Sequence, residues 1–219
     1  MVNKTSKIAT WKRIILHDML PVSKSNFFDS EWHEWLGRIN DGLKSKKQRR
    51  HNIPEDAPRD VAELLDEECL QAEDVSNNMY AALIVSLWAK IEHFLRKLCR
   101  YSTCFGLSPI DRNVNFVKFV MAHFKNNLGI DIVSIENYDY ANLLRILNNA
   151  FKHNNGFYHP DRNPISEKLA KRFKISENSP IKYIDLPIEE LILKAGSFCA
   201  TLYKETEKAL NRKTTTKDN

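Results

Sequence analysis

The sequence has few of the residues that make turns, and it has no long apolar run. Six glycines and eight prolines in 219 residues are too few for the many turns of an all-β protein. No apolar run reaches the roughly 18 residues that span a bilayer. Met1–Leu20 has scattered charges and no small-residue cleavage site, which argues against a signal peptide. A cytoplasmic protein without a membrane partner is therefore expected.

Motifs for common cofactors are also missing. The sequence contains no G-x-G-x-x-G turn, no phosphate-binding loop and no HExxH. Its four cysteines show no paired metal spacing and fall mostly at helical core positions, so reduced and packed thiols are expected. His153 and His159 lack the further ligands that zinc needs. We predict neither a cofactor nor a metal site.

What the sequence does contain is apolar residues at the three- and four-residue steps of helices. With 42% hydrophobic residues, it predicts an all-α fold, an antiparallel helical bundle with an N-terminal helical extension. The predicted helices cover residues 8–20, 30–43, 61–75, 79–100, 113–128, 139–153, a short piece at 166–173, and 187–210. Asn77 and Asn78 are expected to interrupt the helix that begins at residue 61, so that a new helix begins at residue 79. Asp139 is expected to cap the helix at 139–153. An extended piece is expected at 181–184.

Two prolines and a basic run suggest how the chain is divided. Pro54 and Pro58 remove backbone donors and disfavour helix before them, so residues 1–58 are predicted to form short helices and a linker. Residues 59–212 form the predicted bundle, and 213–219 a disordered tail. The basic run comprises Lys44, Lys46, Lys47, Arg49 and Arg50. It could contact nucleic-acid phosphates or simply remain a solvated linker.

The segment Leu143–Gly156 is the strongest candidate for chemistry. Its apolar helical repeat ends in His153, and Asn154, Asn155 and Gly156 follow as a helix stop. Asn149 lies one turn before His153, and Arg145 one turn before Asn149. The partial negative charge of a helix C-terminus favours a protonated imidazole, which suits general acid–base work on a phosphodiester. The alternative is that Lys152 and His153 only complement the helix dipole.

Two stretches of this sequence resemble the HEPN superfamily of prokaryotic helical domains. They are the apolar helix Leu83–Leu98 containing Glu92, and the segment Asn148–Gly156. The resemblance covers about Val61–Leu210 and is closest to HEPN-like nucleases of bacterial defence or toxin systems. It implies a homodimer that cleaves RNA without metal, with an acidic residue on an early helix. A later helix carries an arginine, a polar residue and a histidine.

The sequence departs from the HEPN pattern at one position. Asn148 stands where the family has arginine, while Asn149 and His153 match the polar residue and the histidine. Arginine holds a phosphate bidentately, which a neutral amide cannot do. Arg145 is the candidate replacement, and Arg162 a weaker one.

Other candidate residues have two interpretations each. Glu92 matches the family acid and could orient His153, or it could only pair with Arg96 four residues later. Trp32, Trp35 and Trp88 could stack on bases, but their helical spacing favours core packing. Tyr158, just after the helix stop, is a candidate contact to RNA.

The expected function is that of a metal-independent ribonuclease or RNA-binding effector. His153 is the expected acid–base, and Asn149, Asn148, Arg145 and Glu92 complete the predicted site. A partner protein from the same defence system is a further expected partner. The alternative is a catalytically inactive HEPN-like module for dimerisation, partner binding or nucleic-acid binding.

Overall fold

The computed structural model describes residues 30–105, 107, 116–161, 164–177 and 179–215. No strand occurs within these ranges, where Phe157 and Pro180 form an isolated antiparallel bridge. The prediction of an all-α fold is confirmed. The predicted helix at 8–20, the first residues of the predicted helix at 113–128, Arg162 and residues 216–219 lie outside the described residues.

Six α-helices and three short helical turns make up the described chain. The α-helices are α1 Ser30–His51, α2 Arg59–Thr103, α3 Phe116–His123, α4 Tyr138–His153, α5 Glu167–Arg172 and α6 Ile188–Thr215. A π-helical turn spans Phe124–Leu128, and 3-10 turns span Ile132–Ser134 and Tyr183–Asp185. None of the helices in the described ranges is long and apolar enough to cross a membrane.

Helices α1 and α2 are longer than predicted. The basic run continues α1 to His51 instead of forming a linker, because lysine and arginine are good helix formers. Asn77 and Asn78 lie within the uninterrupted 45-residue helix α2. Asn77 is accommodated there because its side-chain oxygen accepts a hydrogen bond from the Ile184 N–H at 3.3 Å. The predicted break at the two prolines is confirmed, since α2 begins directly after Pro58.

The described residues fall into two compact units. One contains residues 86–146 and 187–215, and the other contains residues 30–85 and 147–186. The units therefore divide the chain differently from the predicted boundary near residue 58. The buried apolar residues of the first unit include Ile91, Phe94, Leu98, Phe124, Leu143, Leu144, Phe198 and Leu202. Those of the second include Leu43, Tyr80, Leu83, Ile84, Leu147, Phe173, Ile181 and Tyr183.

Local sequence signals set several helix ends. Gly129 has a left-handed φ of 69° and ends the π-helical turn, as its position predicts. Ser166 caps the short helix α5, with its side chain accepting from the Leu169 N–H. The prediction that Asp139 caps α4 is wrong, because α4 begins at Tyr138 and Asp139 lies in its first turn.

The connection between α4 and α6 also differs from the prediction. The predicted extended piece at 181–184 instead enters the 3-10 turn Tyr183–Asp185. Ile181 and Tyr183 are buried there. This connection gives the second unit much of its core although it contains only a six-residue helix.

Two glycine substitutions are expected to change stability in opposite directions. Gly156 has a φ of 82°, and alanine there costs about 1–2 kcal/mol because L-residues avoid the left-handed region. Gly37 lies inside α1, and alanine there adds about 0.5–1 kcal/mol by restricting the unfolded chain. An added Cβ meets nothing within 4 Å at either site, so neither effect is steric. Urea unfolding of both variants measures the difference, and a stabilising Gly156→Ala would contradict the left-handed helix stop.

Candidate functional site at the end of α4

His153 is the last residue of α4, and its side chain is exposed. The helix stop behind it is the predicted one. The N–H groups of Asn154 and Gly156 both donate to the Ala150 carbonyl, at 3.1 and 2.9 Å. Asn155 and Gly156 take left-handed φ values of 50° and 82°. The imidazole therefore lies at a helix end whose backbone conformation is held by these hydrogen bonds and left-handed residues.

The chain after the stop is tied back to α4. The Ile181 N–H donates to the Gly156 carbonyl at 2.9 Å. The Tyr183 hydroxyl donates to the Leu147 carbonyl at 3.0 Å, and its ring packs edge-on against Phe151. Burial raises the pKa of Tyr183, so this phenol stays a neutral donor. These contacts hold the last two turns of α4 and support the position of His153.

Asn148 and Asn149 occupy different environments on α4. Asn148 is 4% exposed, and its amide nitrogen donates to Asn149 Oδ1 at 3.1 Å. Asn148 Oδ1 is buried and has no hydrogen-bond partner among the described residues. Asn149 is half-buried. Asn148 therefore faces the interior, and Asn149 is the amide nearer to solvent.

Arg145 lies on an earlier part of α4. Its Nε donates to Asn142 Oδ1 at 3.0 Å, and burial lowers the pKa of its guanidinium. It lines an apolar cavity together with Trp88, Tyr138 and Phe198. On an ideal helix Arg145 and His153 are separated by about 12 Å along the axis. Local helix geometry thus does not place the two side chains beside one another.

Glu92 is paired on its own helix. Its carboxylate accepts from Arg96 Nη2 at 2.5 Å and from Arg96 Nε at 3.1 Å. This is the four-residue pair that the sequence offered as the alternative to a catalytic role. Glu92 and His153 belong to different compact units.

The basic run of α1 contacts the acidic N-terminal part of α2. The ion pairs are Lys46–Glu68 (3.9 Å), Lys47–Glu73 (2.5 Å), Arg49–Glu68 (3.7 Å) and Arg50–Asp66. Lys44 is exposed. Hydrogen bonds from Lys47 and Arg50 lower the pKa values of Glu73 and Asp66, respectively. Carboxylates of the same protein therefore compensate much of the positive charge of this run. The ion pairs are exposed, so salt weakens them.

The aromatic candidates lie mainly in the interior. Tyr158 is 7% exposed, and its hydroxyl accepts from the Ile165 N–H at 2.9 Å, which anchors the connection after α4. Trp88 is buried and lines the apolar cavity, in agreement with the core-packing interpretation. The side chains of Trp32 and Trp35 lie outside the described residues. In this conformation the ring of Tyr158 is not a surface for base stacking.

A buried polar network was not predicted from the sequence. His123 Nε2 lies 2.7 Å from Ser102 Oγ, and His123 Nδ1 lies 3.1 Å from Asn127 Nδ2. Ser102 Oγ donates its one proton to the Cys99 carbonyl at 2.6 Å, so His123 Nε2–H is the donor to Ser102. The serine is therefore not activated by the imidazole as a nucleophile would be. The sequence gives only a weak signal for this network, because Asn127 reaches the His123 ring from a π-helical turn that was not predicted.

Metal ligands and reactive thiols do not cluster in the described part of the chain. No three His, Cys, Asp or Glu side chains there are placed to hold a metal ion. The four cysteines are free thiols, and burial raises the pKa of Cys99 to about 12 and raises that of Cys199. The exposed titratable groups in the last turn of α4 are Lys152 and His153, and no cysteine lies there.

Comparison with known proteins finds no relative. No protein-family model matches the sequence, and searches of curated proteins and of solved structures find no similar chain.

Asn148→Leu is expected to raise the free energy of unfolding by about 1–3 kcal/mol. Leucine has a similar volume and removes a buried carbonyl oxygen that has no partner in the described structure. Asn149→Leu provides the contrast, since it removes the acceptor of the buried Asn148 amide and should destabilise the fold. Urea denaturation of both variants makes the comparison. Destabilisation by Asn148→Leu would show that its oxygen has a partner in solution.

Proposed function

We propose that this chain is a HEPN-like helical domain that acts on RNA as a metal-independent endonuclease, with His153 as its general acid–base. The observation that carries the proposal is the exposed imidazole of His153 on a backbone fixed by the helix stop. A proton-transfer group must be both accessible to substrate and held in place, and such a group contributes about 10²–10⁴ in rate. The HEPN resemblance supplies the substrate class and the expected cytoplasmic defence or toxin setting.

Asn149 is the proposed positioning residue. It lies one helical turn before His153 and is half-buried, so its amide can hydrogen-bond either the imidazole or a phosphate oxygen. Asn148 is too buried to touch a phosphate, and in this proposal it only supports the Asn149 amide through their 3.1 Å hydrogen bond.

Arg145 is the proposed cation for the phosphate, and it would have to act from about 12 Å before His153 along the axis of α4. The HEPN resemblance also implies a role for Glu92, whose carboxylate is paired with Arg96 in the structure. The homodimer implied by the HEPN resemblance brings two α4 ends into one assembly. A measured mass of a monomer for the RNA-cleaving species would remove the dimer from this proposal.

A second candidate function is a catalytically inactive HEPN-like module that binds RNA or a partner protein of the same defence system. Asn148 favours this second candidate. It is a neutral amide where the family has arginine, and it is buried, so it offers no cation to a phosphate.

RNA cleavage in the presence of a chelator separates the two candidates. The purified full chain and its His153→Ala variant are incubated with total RNA and EDTA, and products are followed on a gel. Cleavage by the first protein alone supports the nuclease. Equal cleavage by both removes the role of His153, and binding without cleavage by either supports the inactive module.

A further inference from the structure

The two aromatic residues that follow the helix stop of α4 differ in exposure. Tyr158 is 7% exposed, whereas Phe157 is 37% exposed although its side chain is apolar. Phe157 forms the isolated antiparallel bridge with Pro180, and successive side chains of such an extended segment point to opposite faces. The bridge holds the backbone of Phe157, so an exposed aromatic ring lies four residues after His153 in a defined local structure.

Exposed lysines follow a few residues later, on and after α5. Lys168 and Lys171 are three residues apart and therefore share one face of this helix, and Lys174 follows its end. All three are exposed, and none of them has an ion pair with a carboxylate of the described residues. Leu169 is buried on the other side of the helix, and Glu167 is the one acid of α5. We call Lys168, Lys171 and Lys174 the α5 lysines.

Two hydrogen bonds tie the chain that carries α5 to the end of α4. The Ile165 N–H, just before the cap of α5, donates to the Tyr158 hydroxyl at 2.9 Å. The Ile181 N–H donates to the Gly156 carbonyl at 2.9 Å. Both acceptors lie within five residues of His153 in the sequence. The exposed ring and the α5 lysines therefore belong to the same compact unit as His153.

We propose that Phe157 stacks on a base of single-stranded RNA while the α5 lysines bind the phosphates of the same strand. This inference rests on the proposed function, since it takes RNA as the substrate. Every base has a π-face and every nucleotide has a phosphate, so neither contact reads sequence. The strand must be unpaired, because the bases of a duplex are already stacked on one another. A base on Phe157 brings the adjoining phosphates toward the end of α4, where the His153 imidazole is exposed.

Replacement of Phe157 tests the stacking contact. A short labelled oligouridine is titrated with the full chain, with His153→Ala in every protein so that the probe survives. Phe157→Ala should weaken binding by about 5- to 150-fold, which is the contribution of one base stacked on an aromatic side chain. Phe157→Trp keeps an aromatic face and should retain the affinity. Inorganic polyphosphate, which has no bases, should bind equally well with Phe157 and with Phe157→Ala.

Salt dependence of oligouridine binding tests the α5 lysines. Lys168→Ala combined with Lys171→Ala should reduce the slope of log affinity against log salt by about 1.4, since each phosphate contact to a single strand contributes about 0.7. The matched control is Lys194→Ala combined with Lys204→Ala. These two lysines of α6 are also exposed and belong to the other compact unit, so the control removes the same charge and should leave the slope unchanged.

The outcomes separate this inference from the proposed nuclease. Full oligouridine affinity of Phe157→Ala, an equal loss of polyphosphate binding, or a full chain that does not bind oligouridine overturns the stacking contact. An equal fall of the slope with the α6 pair overturns the assignment to the α5 lysines. A wild-type chain that binds oligouridine through Phe157 and leaves RNA intact in EDTA overturns the nuclease and keeps this inference. Circular dichroism checks that the variants fold, and Phe157→Leu or glutamine at the lysine positions replaces any alanine variant that does not.

Discussion

RNA cleavage by the His153→Ala variant is expected to be about 10²–10⁴-fold slower than by the wild-type chain. The reason is that alanine removes the exposed proton-transfer group at the end of α4 without touching the backbone that forms the helix stop. The measurement is the initial rate of cleavage of a labelled RNA in EDTA. Thermal unfolding should be unchanged, since an exposed side chain at this position contributes little to packing.

The matched control is His159→Ala. His159 is also exposed, and it lies a few residues after the stop in the connection to α5. A nuclease that uses His153 loses its activity in one variant and keeps it in the other. Equal losses in the two variants would mean that general positive charge, and not a positioned imidazole, supports cleavage.

The second large effect expected is a loss of stability in mild acid that originates at His123. Burial lowers the pKa of His123 below its ordinary value of 6.5, so the unfolded chain takes up the proton more readily than the folded one. The neutral ring fits its site, where Nδ1 accepts from Asn127 and Nε2–H donates to Ser102. The stabilisation is complete above pH 6.5 and is lost as the pH falls toward the lowered pKa of the folded state.

Urea unfolding at several values between pH 7.5 and pH 5 measures this loss. Its slope is at most about 1.4 kcal/mol per pH unit for one proton. The range stops at pH 5 because ion pairs lower the pKa values of Asp66 and Glu73, which keeps both ionised there. His123→Gln should unfold at lower urea at pH 7.5 and should lose less stability on acidification. The same pH slope in both proteins would assign the effect to another group.

The helices could be predicted because their signals are local. Leu143, Leu144 and Leu147 repeat at helical steps, and Gly156 ends the helix whatever surrounds it, because its left-handed φ is a property of a few adjacent residues. Asn77 and Asn78 misled the prediction for a related reason. Their poor helix propensity costs only a few tenths of a kcal/mol, and contacts such as the Asn77 bond to Ile184 outweigh it.

The candidate site was predicted less completely than the fold. The placement of His153 in the last turn of α4, with Asn149 one turn earlier, followed from spacing alone. The burial of Asn148 did not, because a polar residue on a helix faces solvent or core according to what packs there. The pairing of the basic run with Glu68, Glu73 and Asp66 also required a distant helix to be in place.

What the sequence by itself determined is the all-α class, the end of α4 and the position of His153 at that end. These depend on periodicity and on the conformational preferences of neighbouring residues. Only the tertiary structure decided that Asn148 is buried, that the basic run is ion-paired, and that His123 is enclosed by Ser102 and Asn127. Each of these depends on contacts between helices, such as that of Ser102 on α2 with His123 on α3, and such contacts are set only when the helices pack.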